Sequence, residues 1–140
     1  MRMYFAYGAN IDKNAMKFRC PDSVFYGLGI VSGKKFIINE FGVATLVDNQ
    51  ESATYGILWL ISEEDKKRLD VFEGVECGLY YRKDAIVNLN KTEAVTCFLY
   101  LSSNEIPSTE TQLNSYVLNI LYWAQLYGFP DEYVNMIKEA

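Results

Sequence analysis

The feature that most limits the fold is the order in which the residue periodicities change along the chain. From Val24 to Ile61 there is strand character and no intervening helix. Val24 to Val31 and Lys35 to Asn39 are rich in β-branched and aromatic residues and read as two strands or one long bent strand. Val43 to Val47 and Thr54 to Ile61 are two further strands, and Gly27, Gly29 and Gly33 mark bulges or turns. Consecutive parallel strands need a crossover, usually a helix, between them. Its absence argues against a doubly wound parallel sheet.

The remaining elements follow from their signals. Met3 to Tyr7 is a short aromatic strand stopped by Gly8, and Asp12 N-caps one or two helical turns running to Arg19. Ser62-Glu63-Glu64-Asp65 opens a helix with a cap and an acidic first turn, Leu69 and Phe72 share its apolar side, and Gly74 ends it. Residues 80–89 and 93–101 alternate as strands, with Asn90 and Lys91 near the turn between them. Thr111 to Tyr127 is the clearest helix, since Leu113, Val117, Ile120, Ala124 and Tyr127 recur at helical spacing; Pro130 to Glu139 forms a last short helix. Strands first, then a helix, two strands and more helices describe an α+β fold: a strongly bent sheet or small β-barrel with helices packed outside. At 140 residues, half of them hydrophobic, residues 1–140 suit a single domain.

Composition excludes several chemistries. The chain contains no histidine. That removes His-based triads, Cys–His dyads and imidazole shuttles, and with them most catalytic zinc sites. A proton moved near neutral pH then falls to a carboxylate of shifted pKa, with Lys, Tyr or Cys behind it. The 13 basic residues against 18 acidic ones leave a net charge of −5 with no basic run, which argues against a nucleic-acid partner. Cys20, Cys77 and Cys97 make no metal spacing and read as reduced thiols of a cytoplasmic protein. No apolar run approaches the ~20 residues of a membrane span, and the N-terminus lacks a signal peptide's apolar stretch. The sequence implies no metal, cofactor or membrane partner, and it does not reveal an oligomeric state.

Two segments are candidates for chemistry. At Tyr7-Gly8-Ala9-Asn10 a strand ends, a glycine frees the backbone and a helical turn follows, so successive amides can form an anion-binding nest; the tetrapeptide equally reads as an ordinary strand-ending turn. Glu73 lies at the C-terminal end of the acidic helix between Phe72 and Gly74. The negative end of the helix dipole and apolar neighbours both raise a carboxyl pKa, as a general base near pH 7 requires; the alternative is a solvated surface glutamate. Asp70, one turn earlier, is either its like-charged neighbour or solvated. Tyr80 and Tyr100 sit on strands, where a tyrosine either lines a pocket or is half-buried sheet surface. Tyr116, Tyr122 and Trp123 read as core or partner-facing residues, and Cys77 is placed to border a pocket near Glu73.

Taken in order, these segments resemble the gamma-glutamylcyclotransferase family, whose broader superfamily includes AIG2-type proteins and gamma-glutamylamine cyclotransferases. The resemblance is carried by Tyr7-Gly8-Ala9-Asn10, Arg19-Cys20-Pro21, Phe36 to Asn39, Gly42-Val43-Ala44-Thr45 and Gly56-Ile57-Leu58-Trp59. It continues through Leu69-Asp70-Val71-Phe72-Glu73-Gly74-Val75, Gly78-Leu79-Tyr80 and Tyr127-Gly128-Phe129-Pro130-Asp131-Glu132-Tyr133. It implies a bent mixed β-barrel with helices around one cavity, and a lyase or acyltransferase of the gamma-glutamylcyclotransferase type. The substrate would be a small γ-glutamyl amine or γ-glutamyl amino acid, released as 5-oxoproline and a free amine, without a cofactor. It also implies Glu73 as general acid/base, residues 7–10 as a main-chain substrate grip, and Tyr80 and Tyr100 near the pocket. The family's serine is Ala9 here, which leaves a catalytically inactive binding or interaction module on the same fold as the alternative. With no basic cluster in view, an anionic substrate would depend on backbone amides.

Overall fold

One long hairpin supplies most of the sheet. The computed structural model describes residues 1–90, 92–110 and 113–140. In it, β2 (Val24–Ile38) pairs antiparallel with β3 (Ala44–Ile61) from Ile38↔Ala44 to Val24↔Leu60. The first segment is thus the one long strand that its sequence allowed, while the two strands expected at Val43 to Val47 and Thr54 to Ile61 are one continuous strand. The ladder shifts register between Phe25 and Gly27 and again between Ser32 and Lys34. Asn49, Gln50 and Glu51 continue β3 in solvent, where no buried face requires alternation, so their polarity concealed an extended backbone. Lys34 pairs with Asp48 beside the second shift.

The other strands close the sheet on itself. β1 (Arg2–Ala6) lies antiparallel to β3, from Arg2↔Ile61 to Ala6↔Ile57. β4 (Tyr80–Asn88) touches β2 at Ile30↔Asn88 and forms a full hairpin with β5 (Ala94–Ser102). The seam is the parallel pairing of β1 with β5 at Tyr4↔Phe98, which completes a closed mixed barrel in the order β1-β3-β2-β4-β5. Closure leaves no strand edge in the ring to be capped. Phe5, Phe36, Ile57, Leu58 and Leu99 are buried at 0–1% exposure, on the barrel's inner face and under the helices outside it.

The helices follow their caps. Asp12 accepts hydrogen bonds from the Asn14 and Ala15 amides and starts α1 (Lys13–Arg19). Ser62 accepts from the Asp65 amide and starts α2 (Glu63–Phe72), whose acidic first turn suits the positive end of the helix dipole. Leu69 is fully buried, whereas Phe72, expected on the same apolar side, is 45% exposed. Gly74, at φ +65°, turns the chain out of the helix in a conformation that a side chain disfavours. Asn114 caps α3 (Ser115–Leu126) through the Val117 amide, and Val117, Ile120 and Ala124 face the core as the spacing requires. The helix starts later than expected: Leu113 precedes it and is exposed. Lys91, expected near a turn, and Thr111, expected to open the helix, lie outside the described residues. Past Pro130, α4 (Asp131–Glu139) packs Tyr133 against Tyr55 and Phe129. Among the described residues no helix is long and apolar enough to cross a membrane.

Candidate active site

The start of the chain is pinned by one buried side chain. Asn10 is 2% exposed and lies in the short helical turn Ala9–Ile11 that follows β1. Its Nδ2 donates to the Tyr4 hydroxyl at 3.0 Å, its Oδ1 accepts from Arg19 Nη1 at 2.5 Å, and its carbonyl accepts from Trp59 Nε1 at 2.9 Å. These bonds tie β1, α1 and β3 together around the Tyr7–Asn10 loop. One N–H and the oxygen of the Asn10 side-chain amide are thereby committed to holding the loop in place. Gly8 packs closely on its neighbours: a Cβ there would sit a tight 3.3 Å from Ala44 Cβ and in ordinary contact, 3.6 Å, with the Tyr116 hydroxyl.

The loop forms one wall of a cavity of about 260 Å³. The residues that the resemblance places at a substrate site all border it: Tyr7, Gly8, Ala9 and Asn10 from the loop, Glu73 from the end of α2, Tyr80 from β4 and Tyr100 from β5. The barrel seam brings the two ends together, because β1 carries Tyr4 and the loop while β5 carries Tyr100. Cys77 does not border this cavity. It is exposed and lines a separate concavity with Asp70, Gly74 and Arg82.

Glu73 caps the C-terminus of α2 and is partly buried. Burial pushes its carboxyl up to about 7, and the Arg19 guanidinium opposes the rise. Among the described residues nothing hydrogen-bonds or pairs with that carboxylate, which leaves it available to a ligand. The tyrosines around it stay protonated: burial raises Tyr4, Tyr7, Tyr80, Tyr100 and Tyr116, and Glu73 adds to each shift.

Several residues of the site carry no local signal. Arg19 stacks its guanidinium 3.8 Å from the Phe72 ring centroid, so a cation stands behind the wall of a chain with no basic cluster. That contact also explains why Phe72 stays at the surface of α2. Tyr116, read as core or partner-facing, lines the cavity and accepts a hydrogen bond from the Ala44 amide at 3.1 Å. Asp70 is neither a bare neighbour of Glu73 nor solvated alone. Its Oδ1 accepts from the Tyr100 hydroxyl at 2.6 Å and pairs with Arg82 Nε at 3.2 Å.

Comparison with known proteins fits this geometry. A model of the AIG2-like family matches residues 53–137, more than half of the chain. The chain belongs to the AIG2-like family. Among relatives of this AIG2-like chain is a gamma-glutamylcyclotransferase from Bos taurus, 27% identical over 97% of the chain and 77% of the relative. One from Homo sapiens is 26% identical with the same coverage. A solved structure named gamma-glutamyl cyclotransferase superposes with a TM-score of 0.85 at 25% identity, covering 98% of this chain and 86% of that one. The closed mixed barrel with outer helices is the gamma-glutamyl cyclotransferase fold.

Proposed function

We propose that this AIG2-like protein is a gamma-glutamyl cyclotransferase of the lyase or acyltransferase type, acting on a small γ-glutamyl amine or γ-glutamyl amino acid. The observation that carries the reading is Glu73: an unpartnered carboxylate with a pKa of about 7, facing the Tyr7–Asn10 loop across a cavity large enough for a small ligand. Tyr80 and Tyr100 complete the substrate wall. The unit is residues 1–140 as one domain, because the cavity draws on β1 at one end and on α3 towards the other. Three free thiols, one of them exposed, favour a reducing compartment such as the cytoplasm.

The nucleophile is the substrate's own α-amine, which requires neither a protein nucleophile nor a cofactor. As an ammonium it is unreactive. Glu73 accepts a proton from it, the amine nitrogen forms a bond to the γ-carbonyl carbon, and the carbonyl electrons move onto oxygen. Glu73 returns a proton to the leaving nitrogen, the oxyanion re-forms the carbonyl, and the amide C–N bond breaks. The α-nitrogen goes from three protons to one and the leaving amine from one to three. Two protons therefore pass between them, and the protein ends as it began. The protein must also hold a flexible chain in the ring-closing shape. The loop amides of residues 8–10 grip the α-carboxylate, with the Arg19 charge behind them.

The test is a panel of γ-glutamyl-alanine, γ-glutamyl-ε-lysine and glutathione assayed for 5-oxoproline, with Glu73→Gln alongside. Turnover of at least one compound by the wild type, abolished in the variant, is expected. Turnover at wild-type rate in Glu73→Gln refutes this mechanism, and binding without product supports an inactive module.

A further inference from the structure

A phenol has a single proton, and most of the cavity tyrosines have already committed theirs. Tyr7 donates to the Tyr100 carbonyl at 2.5 Å, and Tyr80 donates to the Ala44 carbonyl at 2.6 Å. Tyr100 donates to Asp70 Oδ1 at 2.6 Å, and the same oxygen is held by Arg82 Nε at 3.2 Å. With its proton turned outward to Asp70, the Tyr100 oxygen has only lone pairs to present to the cavity it lines. Tyr116 has the opposite polarity: it accepts from the Ala44 amide, and among the described residues no acceptor takes its proton.

We propose that Asp70, anchored by Arg82, is a positioning residue that fixes the Tyr100 hydroxyl as a hydrogen-bond acceptor, and that Tyr100 thereby reads the α-amine of the substrate. The inference rests on the γ-glutamyl reading and deepens it. An amine offers N–H donors in both its protonated and its neutral form, whereas a carboxylate or carbonyl offers only acceptors and is repelled by an oxygen whose proton points away. Tyr100 and Glu73 line the same cavity, so both acceptors are open to one ligand. With one N–H held by Tyr100 and another handed to Glu73, rotation about the Cα–N bond is restrained. The amine is then aligned for attack on the γ-carbon.

The experiment pairs each γ-glutamyl compound with the analogue in which hydrogen replaces the α-amine. Glutaryl-alanine matches γ-glutamyl-alanine, Nε-glutaryl-lysine matches γ-glutamyl-ε-lysine, and glutaryl-cysteinylglycine matches glutathione. For whichever compound the wild type turns over fastest, KM and kcat are measured together with the inhibition constant of its partner. Tyr100→Phe keeps the ring against Tyr4 and Phe98. Tyr100→Phe and Asp70→Ala are both expected to lower kcat/KM by about 10- to 100-fold, the range for one charge-assisted hydrogen bond, and to change the glutaryl inhibition constant less than about threefold. Asp70→Asn keeps an acceptor oxygen and is expected to fall between Asp70→Ala and wild type. If Tyr100→Phe weakens the glutaryl and γ-glutamyl compounds equally, the tyrosine is only structural and the inference fails while the cyclotransferase reading stands. If no γ-glutamyl compound binds or turns over, both fall.

Discussion

Replacing Glu73 by glutamine should stabilise the protein at alkaline pH, and the effect can be measured without any substrate. Burial lifts the carboxyl from the ordinary glutamate value of 4.5 to about 7 in the folded chain. Between those values the native state binds the proton and the unfolded state releases it. Wild-type stability therefore falls as pH rises through this window and is fully reduced above about pH 7. A shift from 4.5 to about 7 corresponds to roughly 3 kcal/mol of lost stability, at 1.36 kcal/mol per unit. Glutamine has the same shape and no charge to desolvate. The stability gained by Glu73→Gln over wild type should grow by about 3 kcal/mol between pH 4.5 and pH 8, or on the order of 10 °C in Tm for a chain of this size. Urea unfolding of both proteins across that range reads the gap directly. A gap that stays constant from pH 4.5 to pH 8 would show that the folded carboxyl titrates normally, and the argument for a poised base would collapse.

The other expectations concern the walls of the same cavity. Arg19 opposes the rise of the Glu73 pKa, so in Arg19→Met the acid limb of the kcat/KM profile, near pH 7 in the wild type, should move to higher pH; an unmoved limb would separate the two groups electrostatically. Asn10→Ala removes the bond to the Tyr4 hydroxyl and the charged bond from Arg19, and should cost about 2–4 kcal/mol in chemical denaturation. A loss below 1 kcal/mol would mean that the loop is held in another way. Ala9→Ser restores the residue that the gamma-glutamylcyclotransferase resemblance expects. It should alter kcat/KM less than about threefold if the loop acts through its amides, and a tenfold gain would assign the missing hydroxyl a contact with substrate.

Some parts of this molecule could be seen in the sequence because their determinants are local. Ser62 with its acidic turn, Leu69 and Gly74 define α2, and Glu73 follows as the residue at its end, where burial raises the carboxyl pKa. The Tyr7–Asn10 loop is legible for the same reason, as a strand meeting a glycine. Residues whose roles depend on distant partners were hidden. Tyr116 lies one position off the buried row of Val117, Ile120 and Ala124, and a cavity wall asks for the same aromatic character as a core. Arg19 finds Asn10 and Phe72, and Asp70 finds Tyr100 and Arg82, only because the barrel folds them together. The length of β3 was obscured for a different reason: Asn49 to Glu51 stay extended in solvent, where sequence periodicity has nothing to report.

The parallel seam at Tyr4↔Phe98 also has a kinetic meaning. The β2–β3 and β4–β5 hairpins join neighbours in the chain, so each can form with a short loop closed. The seam instead joins the first strand to the last, Tyr4 to Phe98, so it closes a far longer loop at a greater entropic cost. Tyr4 and the loop arrive from one side of that seam and Tyr100 from the other, so the cavity is expected to be the last part of the protein to assemble and the first to come apart. A chain that had lost only the seam would keep most of its sheet and all of its hairpins, and would have no active site.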